Sequence, residues 1–312
     1  MSRQALTVLS VVFDTDAFLR RNVELTRRLN PDAAYRWLVV DNGEPAALSG
    51  GVPGGVEILP GVARPLATRD SGSLHHALAL QSALSRVDTR YLLILDHDFL
   101  AVREGWIASL LADVEARRIA IFGAPWNPRW FYQYRGFPSA QFMLIDTALL
   151  PLRDVDLLPA IADDRFWQFV NDDRRPIPRF LRDTLKAGRL RDTGWRLGRE
   201  ARRRGLNIGL LTPSYVPPDT PRARFERAVA PLLPRALSVY PRPGDGHTER
   251  RFLPDLSAET ADAGVEEFFW RDEPFAVHFR RVGRRMAGDP VTRDEEALRR
   301  LCAALGLADA AP

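Results

Sequence analysis

Three short runs of almost purely apolar, β-prone sequence punctuate the first third of the chain: ALTVLSVVF at 5–13, WLVV at 37–40 and YLLIL at 91–95. Each runs straight into an aspartate, namely Asp14, Asp41 and Asp96. A run without polar alternation reads as a strand buried on both faces, the habit of a parallel sheet. Parallel strands need crossovers, and the intervening segments supply them. Phe18–Leu29 carries Phe18, Leu19, Val23, Leu25 and Leu29 among arginines, which suits a surface helix closed by Asn30-Pro31. Ser73–Arg86 reads as a second helix, opened by the capping residues Asp70-Ser71-Gly72-Ser73. Val56–Leu59 fits a short strand between the two. This order predicts an α/β fold with a mostly parallel, Rossmann-like sheet flanked by helices. Ligands bind such sheets at the carboxyl ends of the strands. Three acids at three of those ends therefore form a constellation on one edge.

Further along, Trp106–Ala116 reads as a helix, Ile119–Gly123 and Ala140–Ile145 as strands, Asp192–Arg204 as a basic helix and Ile208–Leu211 as a last strand. Residues 124–138 hold Trp126, Trp130, Phe131, Tyr132, Tyr134 and Phe137 among three prolines, a structured loop that either lines a site or packs as a satellite cluster. From Pro213 prolines recur densely, which places a boundary near 212: a catalytic domain at 1–212 and a Pro-rich extension at 213–312. The extension shows a helix at Asp294–Leu305 and a strand at Ala276–Phe279.

Composition narrows the class. With 46% hydrophobic residues and a net charge of +4, global disorder is excluded. The single cysteine, Cys302, rules out an internal disulfide framework and cysteine-based zinc fingers, and its place on an apolar helix face reads as packing. No apolar run approaches the ~20 residues of a membrane span, and the first residues lead into a strand rather than a signal peptide. A cytoplasmic protein is expected, with peripheral contact to the inner face of a membrane. Lys186 is the only lysine, so the positive charge is arginine. Residues 174–204 hold eleven arginines and Lys186 against Asp183, Asp192 and Glu200. Such a patch suits phosphates or anionic lipid. Few aromatics interleave it, so nucleic acid is not an expected partner.

Asp96-His97-Asp98 is the motif with the most chemistry. Two carboxylates one residue apart at a strand end can meet one hard divalent cation, either Mn2+ or Mg2+, which keeps positions for phosphate oxygens. Such an ion neutralises a departing diphosphate. Here the chain resembles nucleotide-sugar glycosyltransferases of the GT-A fold, most closely the inverting family 2 type. The residues that carry the resemblance are LTVLSVVF, WLVVDNGEP, YLLILDHDF and DTGWRLGREARRRG, and it spans about residues 5–212.

The resemblance implies a site. Asp41 would contact the base or ribose, with Phe13 and Asp14 beside the base. Arg69 would approach the diphosphate or base. Asp96 would lie near ribose and metal, with His97 in the same nucleotide-sugar-binding segment, and Asp98 would ligate the metal. His278, in FAVHFRR, would complete the metal site, with His247 as its competitor and a packed core histidine as the plain alternative. One of His75 and His76 would face the sugar or diphosphate. Asp192 would be the general base. The family more often has an acidic pair there, whereas this chain has Arg191-Asp192; a helix cap is the plain alternative for Asp192. The donor would be a nucleoside-diphosphate sugar, by default a UDP-sugar. The acceptor would be a glycan or lipid-linked hydroxyl in polysaccharide, lipopolysaccharide or other glycoconjugate synthesis.

Three other readings are open. VVFDTDAFL also resembles the first motif of haloacid-dehalogenase-type phosphatases, with Asp14 as nucleophile, Asp16 as acid/base and Lys186 or an arginine as phosphate clamp. A nucleotidyltransferase would want a Gly-rich basic loop after the first strand, where this chain has Asp14-Thr15-Asp16. A nucleotide-binding protein on the same fold would bind without turnover.

Overall fold

A computed structural model describes residues 5–13, 17–43, 48, 54–64, 71–128, 136–159, 193–216, 219–229, 232, 246–253, 265–279 and 298–303. In chain order the elements are β1 (Leu6–Val12), α1 (Ala17–Leu29), β2 (Tyr35–Asp41), β3 (Val56–Pro60), α2 (Ser71–Ala83), β4 (Tyr91–Leu95), β5 (Phe99–Ala101) and α3 (Trp106–Ala116). They continue with β6 (Ile121–Gly123), β7 (Phe142–Asp146), α4 (Trp195–Arg203), β8 (Ile208–Leu210), β9 (Thr212–Pro213), α5 (Pro221–Val229), β10 (Val265–Trp270) and β11 (Glu273–Phe279).

Among the described residues the larger sheet has seven strands in the order β3-β2-β1-β4-β7-β6-β8. Its pairs are parallel except at β7, which runs antiparallel to both β4 and β6. The strand expected at Ala140–Ile145 thus exists as β7, with its direction reversed. β1 has β2 on one side and β4 on the other, so the crevice at its carboxyl end is a topological switch point.

All seven residues of β1 are buried. Leu6, Val8, Leu9, Val11 and Val12 each contribute on the order of 1.5–3 kcal/mol by leaving water. Its two polar side chains are satisfied internally. Thr7 Oγ1 lies 2.8 Å from Thr89 Oγ1, and Ser10 Oγ donates to Leu95 O at 2.7 Å while accepting from Trp37 Nε1 at 3.0 Å. Gly123 is required where β6 meets β7: a Cβ there would stand 2.0 Å from Phe142 O.

The second sheet, β5-β11-β10-β9, is antiparallel. It draws β5 and the start of β9 from before or at the expected boundary near 212, and β10 and β11 from after it. An aromatic layer joins this sheet to the first. Phe99 lies 5.0 Å from Phe142 and 5.3 Å from Phe268, and Phe142 lies 5.6 Å from Phe275. Such pairs add about 0.5–1.5 kcal/mol each beyond the area they bury.

The sequence pattern places a basic helix over Asp192–Arg204. The helix begins at Trp195 and Gly194 is the N-cap, at φ +82°, a conformation that glycine adopts without strain. In the Pro-rich region, Pro221 heads α5, where its missing N–H costs no helix bond. Of the helix expected at Asp294–Leu305, residues 298–303 are described and helical. Cys302 is half-buried against the core, and burial raises its thiol pKa. No helix among the described residues is long and apolar enough to cross a membrane.

Candidate functional site

The chain leaves the large sheet at Leu95 and enters the small one at Phe99, so residues 96–98 are the turn between two sheets. Backbone bonds fix it. Asp96 N–H donates to Gln141 O at 3.0 Å, and Phe99 N–H donates to Asp96 O at 3.1 Å. Asn22, only 1% exposed on α1, points Nδ2 at the carbonyls of Phe99, His97 and Asp96, at 2.8, 3.2 and 3.4 Å. Its two amide hydrogens are shared among three acceptors. Asn22→Leu removes the amide that serves the Phe99 and His97 carbonyls, while Asp96 O keeps the Phe99 N–H. The substitution is expected to cost on the order of 1–3 kcal/mol, read as a lower midpoint in urea unfolding. An unchanged midpoint would show that the turn is held without it.

His278 arrives from the other sheet. Register sets it opposite Phe99 of β5 on one side and Glu266 of β10 on the other. Phe279 N–H donates to Asp98 O at 3.0 Å and locks the level of the two strands. His278 Nε2 then stands 3.6 Å from Asp98 Oδ1, and Nδ1 stands 2.9 Å from Glu266 Oε2. Asp96, Asp98 and His278 each bring one ligand atom to a common point, all within 4.8 Å of one another. Burial pushes the His278 pKa down, but the Asp98 and Glu266 carboxylates outweigh it and raise the value to about 9. The two carboxylates favour the protonated ring, and a cation at the cluster would compete with that proton.

The cluster opens on a cleft of about 290 Å³, whose walls also include His76, Trp126 and Thr193. His76 Nε2 lies 3.4 Å from Asp96 Oδ1. Gly72 and Ser73, in the first turn of α2, line the cleft too, so the positive end of that helix dipole faces it. Thr193 Oγ1 donates to Ser73 O at 3.2 Å and ties the segment before α4 to this helix start.

The other expected residues divide. Phe13, at the end of β1, packs edge-on against His75 at 5.3 Å and lies 6.2 Å from His76. His75 is buried with Nε2 2.9 Å from Val62 O, so of the two histidines His76 is the one in the cleft wall. Both carboxylate oxygens of Asp41 accept backbone N–H groups, from Gly43 and Leu48, each at 3.0 Å. Those bonds tie Gly43 and Leu48 to the end of β2. His97 does not line the cleft; its carbonyl serves the turn. His278, rather than His247, joins the two aspartates. Asp14, Asp16, Arg69, Lys186 and Asp192 lie outside the described residues.

Of the aromatic loop, Trp126 faces the cleft, and Phe137 is core, stacked over Gly198 of α4. Trp130, Phe131, Tyr132 and Tyr134 lie outside the described residues. In the described part of the arginine patch, Arg196 pairs with Asp156, and Arg203 and Arg204 pair with Glu200. Arg204 also pairs with Asp154.

Sequence reasoning missed Asn22 and Glu266. Nothing marks Asn22 in a helix of ordinary amphipathic pattern. Glu266 has a signal, since VEEFFW sets two acids inside an apolar β-prone run, and both are buried.

No family model and no curated protein matches the chain. Among solved structures it is similar to the mannosyltransferase PcManGT from Pyrobaculum calidifontis in complex with GDP-Man and Mn2+, at 14% identity, 47% of this chain, 46% of that one and a TM-score of 0.34. It is also similar to the galactosyltransferase LgtC in complex with donor and acceptor sugar analogs, at 16% identity, 66% and 73% coverage and a TM-score of 0.34. A third is S. aureus TarS, at 10% identity, 66% and 57% coverage and a TM-score of 0.36. At these scores the likeness carries no functional inference for this chain.

Proposed function

We propose that this chain is a metal-dependent, inverting glycosyltransferase that moves a sugar from a nucleoside-diphosphate sugar to an acceptor hydroxyl. The observation that supports this reading is the Asp96, Asp98 and His278 cluster, set at the carboxyl end of β4 and open to a cleft. Two carboxylate oxygens and one imidazole nitrogen suit Mn2+, and Mg2+ through the oxygens, with positions left for phosphate. When bound, the ion supplies Lewis-acid neutralisation of the departing diphosphate.

The chain's own residues do the rest. Asp96, Asp98 and His278 hold the ion. His76, beside Asp96, and the amino-terminal turn of α2 receive the phosphates, the turn acting as the positive end of a dipole. Phe13 flanks the base, with Asp14, Asp41 and Arg69 as its further contacts. Trp126 offers an apolar face to a sugar ring. Asp192 takes the proton of the acceptor hydroxyl as that oxygen attacks the anomeric carbon from the side opposite the leaving diphosphate. A UDP-sugar is the default donor, and the acceptor is a glycan or lipid-linked hydroxyl reached from the cytoplasmic side at an anionic membrane surface.

The test is a thermal-shift panel of UDP, GDP, dTDP, CMP and inorganic phosphate, each with and without Mn2+. A ligand at 100 times its dissociation constant stabilises the native state by about 2.7 kcal/mol. One nucleoside diphosphate is expected to raise the melting temperature by several degrees only when Mn2+ is present, and its base names the donor. Stabilisation by Mg2+ and phosphate alone, with no nucleotide effect, would favour the phosphatase reading and Asp14.

A further inference from the structure

We propose that Glu266 is a positioning residue for the metal site: it holds His278 with Nδ1 turned away from the cluster and Nε2 turned toward Asp98. The inference rests on the reading of Asp96, Asp98 and His278 as metal ligands.

The Glu266 side chain has no solvent exposure. Taking an ionised carboxylate out of water costs several kcal/mol unless a partner compensates it. The partner is His278, directly across the β10–β11 ladder, with Nδ1 2.9 Å from Glu266 Oε2. An ionised carboxylate only accepts, so the hydrogen of this bond sits on Nδ1. Nε2 is then the atom left to give its lone pair to a cation once its proton is lost. The same bond sets the ring's rotation, and register fixes both strands. A carboxylate behind a ligating histidine orients the ring and raises its basicity.

The adjacent residue gives a built-in contrast. Successive residues of a strand face opposite sides. Glu267, 3% exposed, accepts N–H bonds from Phe252 and Leu253 at 2.6 and 3.2 Å and fastens those two residues to β10. Two neighbouring buried glutamates thus have separate tasks, one toward the cluster and one toward a loop.

The test is Mn2+ binding by titration calorimetry on the full chain, compared with Glu266→Gln, His278→Ala, the double variant and Glu267→Gln. Glu266→Gln is expected to weaken Mn2+ binding 10- to 100-fold. The double variant is expected to bind no more weakly than His278→Ala alone, because Glu266 acts through that ring. Glu267→Gln is expected to lower the melting temperature while leaving Mn2+ affinity unchanged. Co2+ gives a second readout, since the visible spectrum of the bound ion is expected to change in Glu266→Gln and to match that of His278→Ala more closely. Should Glu266→Gln fail to fold, Glu266→Asp keeps the charge but shortens the reach, and an affinity loss is expected there as well. Wild-type affinity in either folded Glu266 variant overturns the proposal, as do losses that multiply in the double variant or an equal loss in Glu267→Gln. Absence of Mn2+ binding by the wild-type chain instead overturns the ligand reading itself.

Discussion

Asp98→Ala is expected to abolish Mn2+-dependent nucleotide binding and to reduce sugar transfer by roughly 10³-fold or more. The size follows from the task. A Lewis acid at a departing phosphate supplies several kcal/mol of charge stabilisation, and each 1.36 kcal/mol is a factor of ten in rate. Asp98 is 8% exposed, and its carboxylate faces both the cleft and His278 Nε2. The fold is expected to survive. The bond that fixes the strand level uses the Asp98 carbonyl, which alanine keeps. Loss of the carboxylate does remove one of the two charges that raise the His278 pKa. Asp98→Asn, close in shape, separates loss of ligand charge from loss of packing and is expected to behave like alanine in binding. Calorimetry with Mn2+ and the nucleotide selected by the thermal-shift panel, alongside transfer kinetics, gives the answer. Full activity in either variant would remove the metal assignment.

The parts of this architecture legible in the sequence are those whose signal is local. β1 and β4 announce themselves because no polar residue breaks their burial, apart from Thr7 and Ser10 inside β1, whose hydroxyls find partners within the core, and β2 does so through its buried run Trp37–Val40. α1 and α2 follow from apolar spacing. The aspartates at 96 and 98 follow from their place at the end of YLLIL. The parts that escaped are non-local. β5 is three residues long and begins directly after a turn, so no periodicity can develop. β10 carries two acids, Glu266 and Glu267, inside its apolar run, and their buried partners, His278 and the Phe252 and Leu253 N–H groups, are distant in sequence. β7 is legible as a strand but not in its direction, which depends on its neighbours β4 and β6. His278 was a candidate in its own apolar run, yet only the β5–β11 register brings it beside Asp98. In the described part of the arginine patch, the ion pairs of Arg196 to Asp156 and of Arg204 to Asp154 reach outside the patch, so composition cannot count them.

Asp192→Asn is expected to remove turnover while leaving donor binding intact. Inverting transfer needs a group that takes the acceptor proton, and a positioned carboxylate base contributes about 10²- to 10⁴-fold. Among the described residues the carboxylates that line the cleft are Asp96 and Asp98. On the proposed reading both would hold the cation, and a ligating carboxylate is a poor base because the metal holds its lone pairs. That reading takes the base from a neighbouring segment. Thr193 lines the same cleft and is tied to the start of α2, and Asp192 precedes it in the chain. α4 starts at Trp195 with Gly194 as its N-cap, two residues beyond Asp192 in the chain. Asparagine matches aspartate in shape but cannot accept the proton, so affinity for Mn2+ and nucleotide is expected to match wild type. The transfer rate is expected to fall by about 10²- to 10⁴-fold. Unchanged transfer would exclude Asp192 as the base. A matching loss of donor affinity would assign it to substrate binding instead.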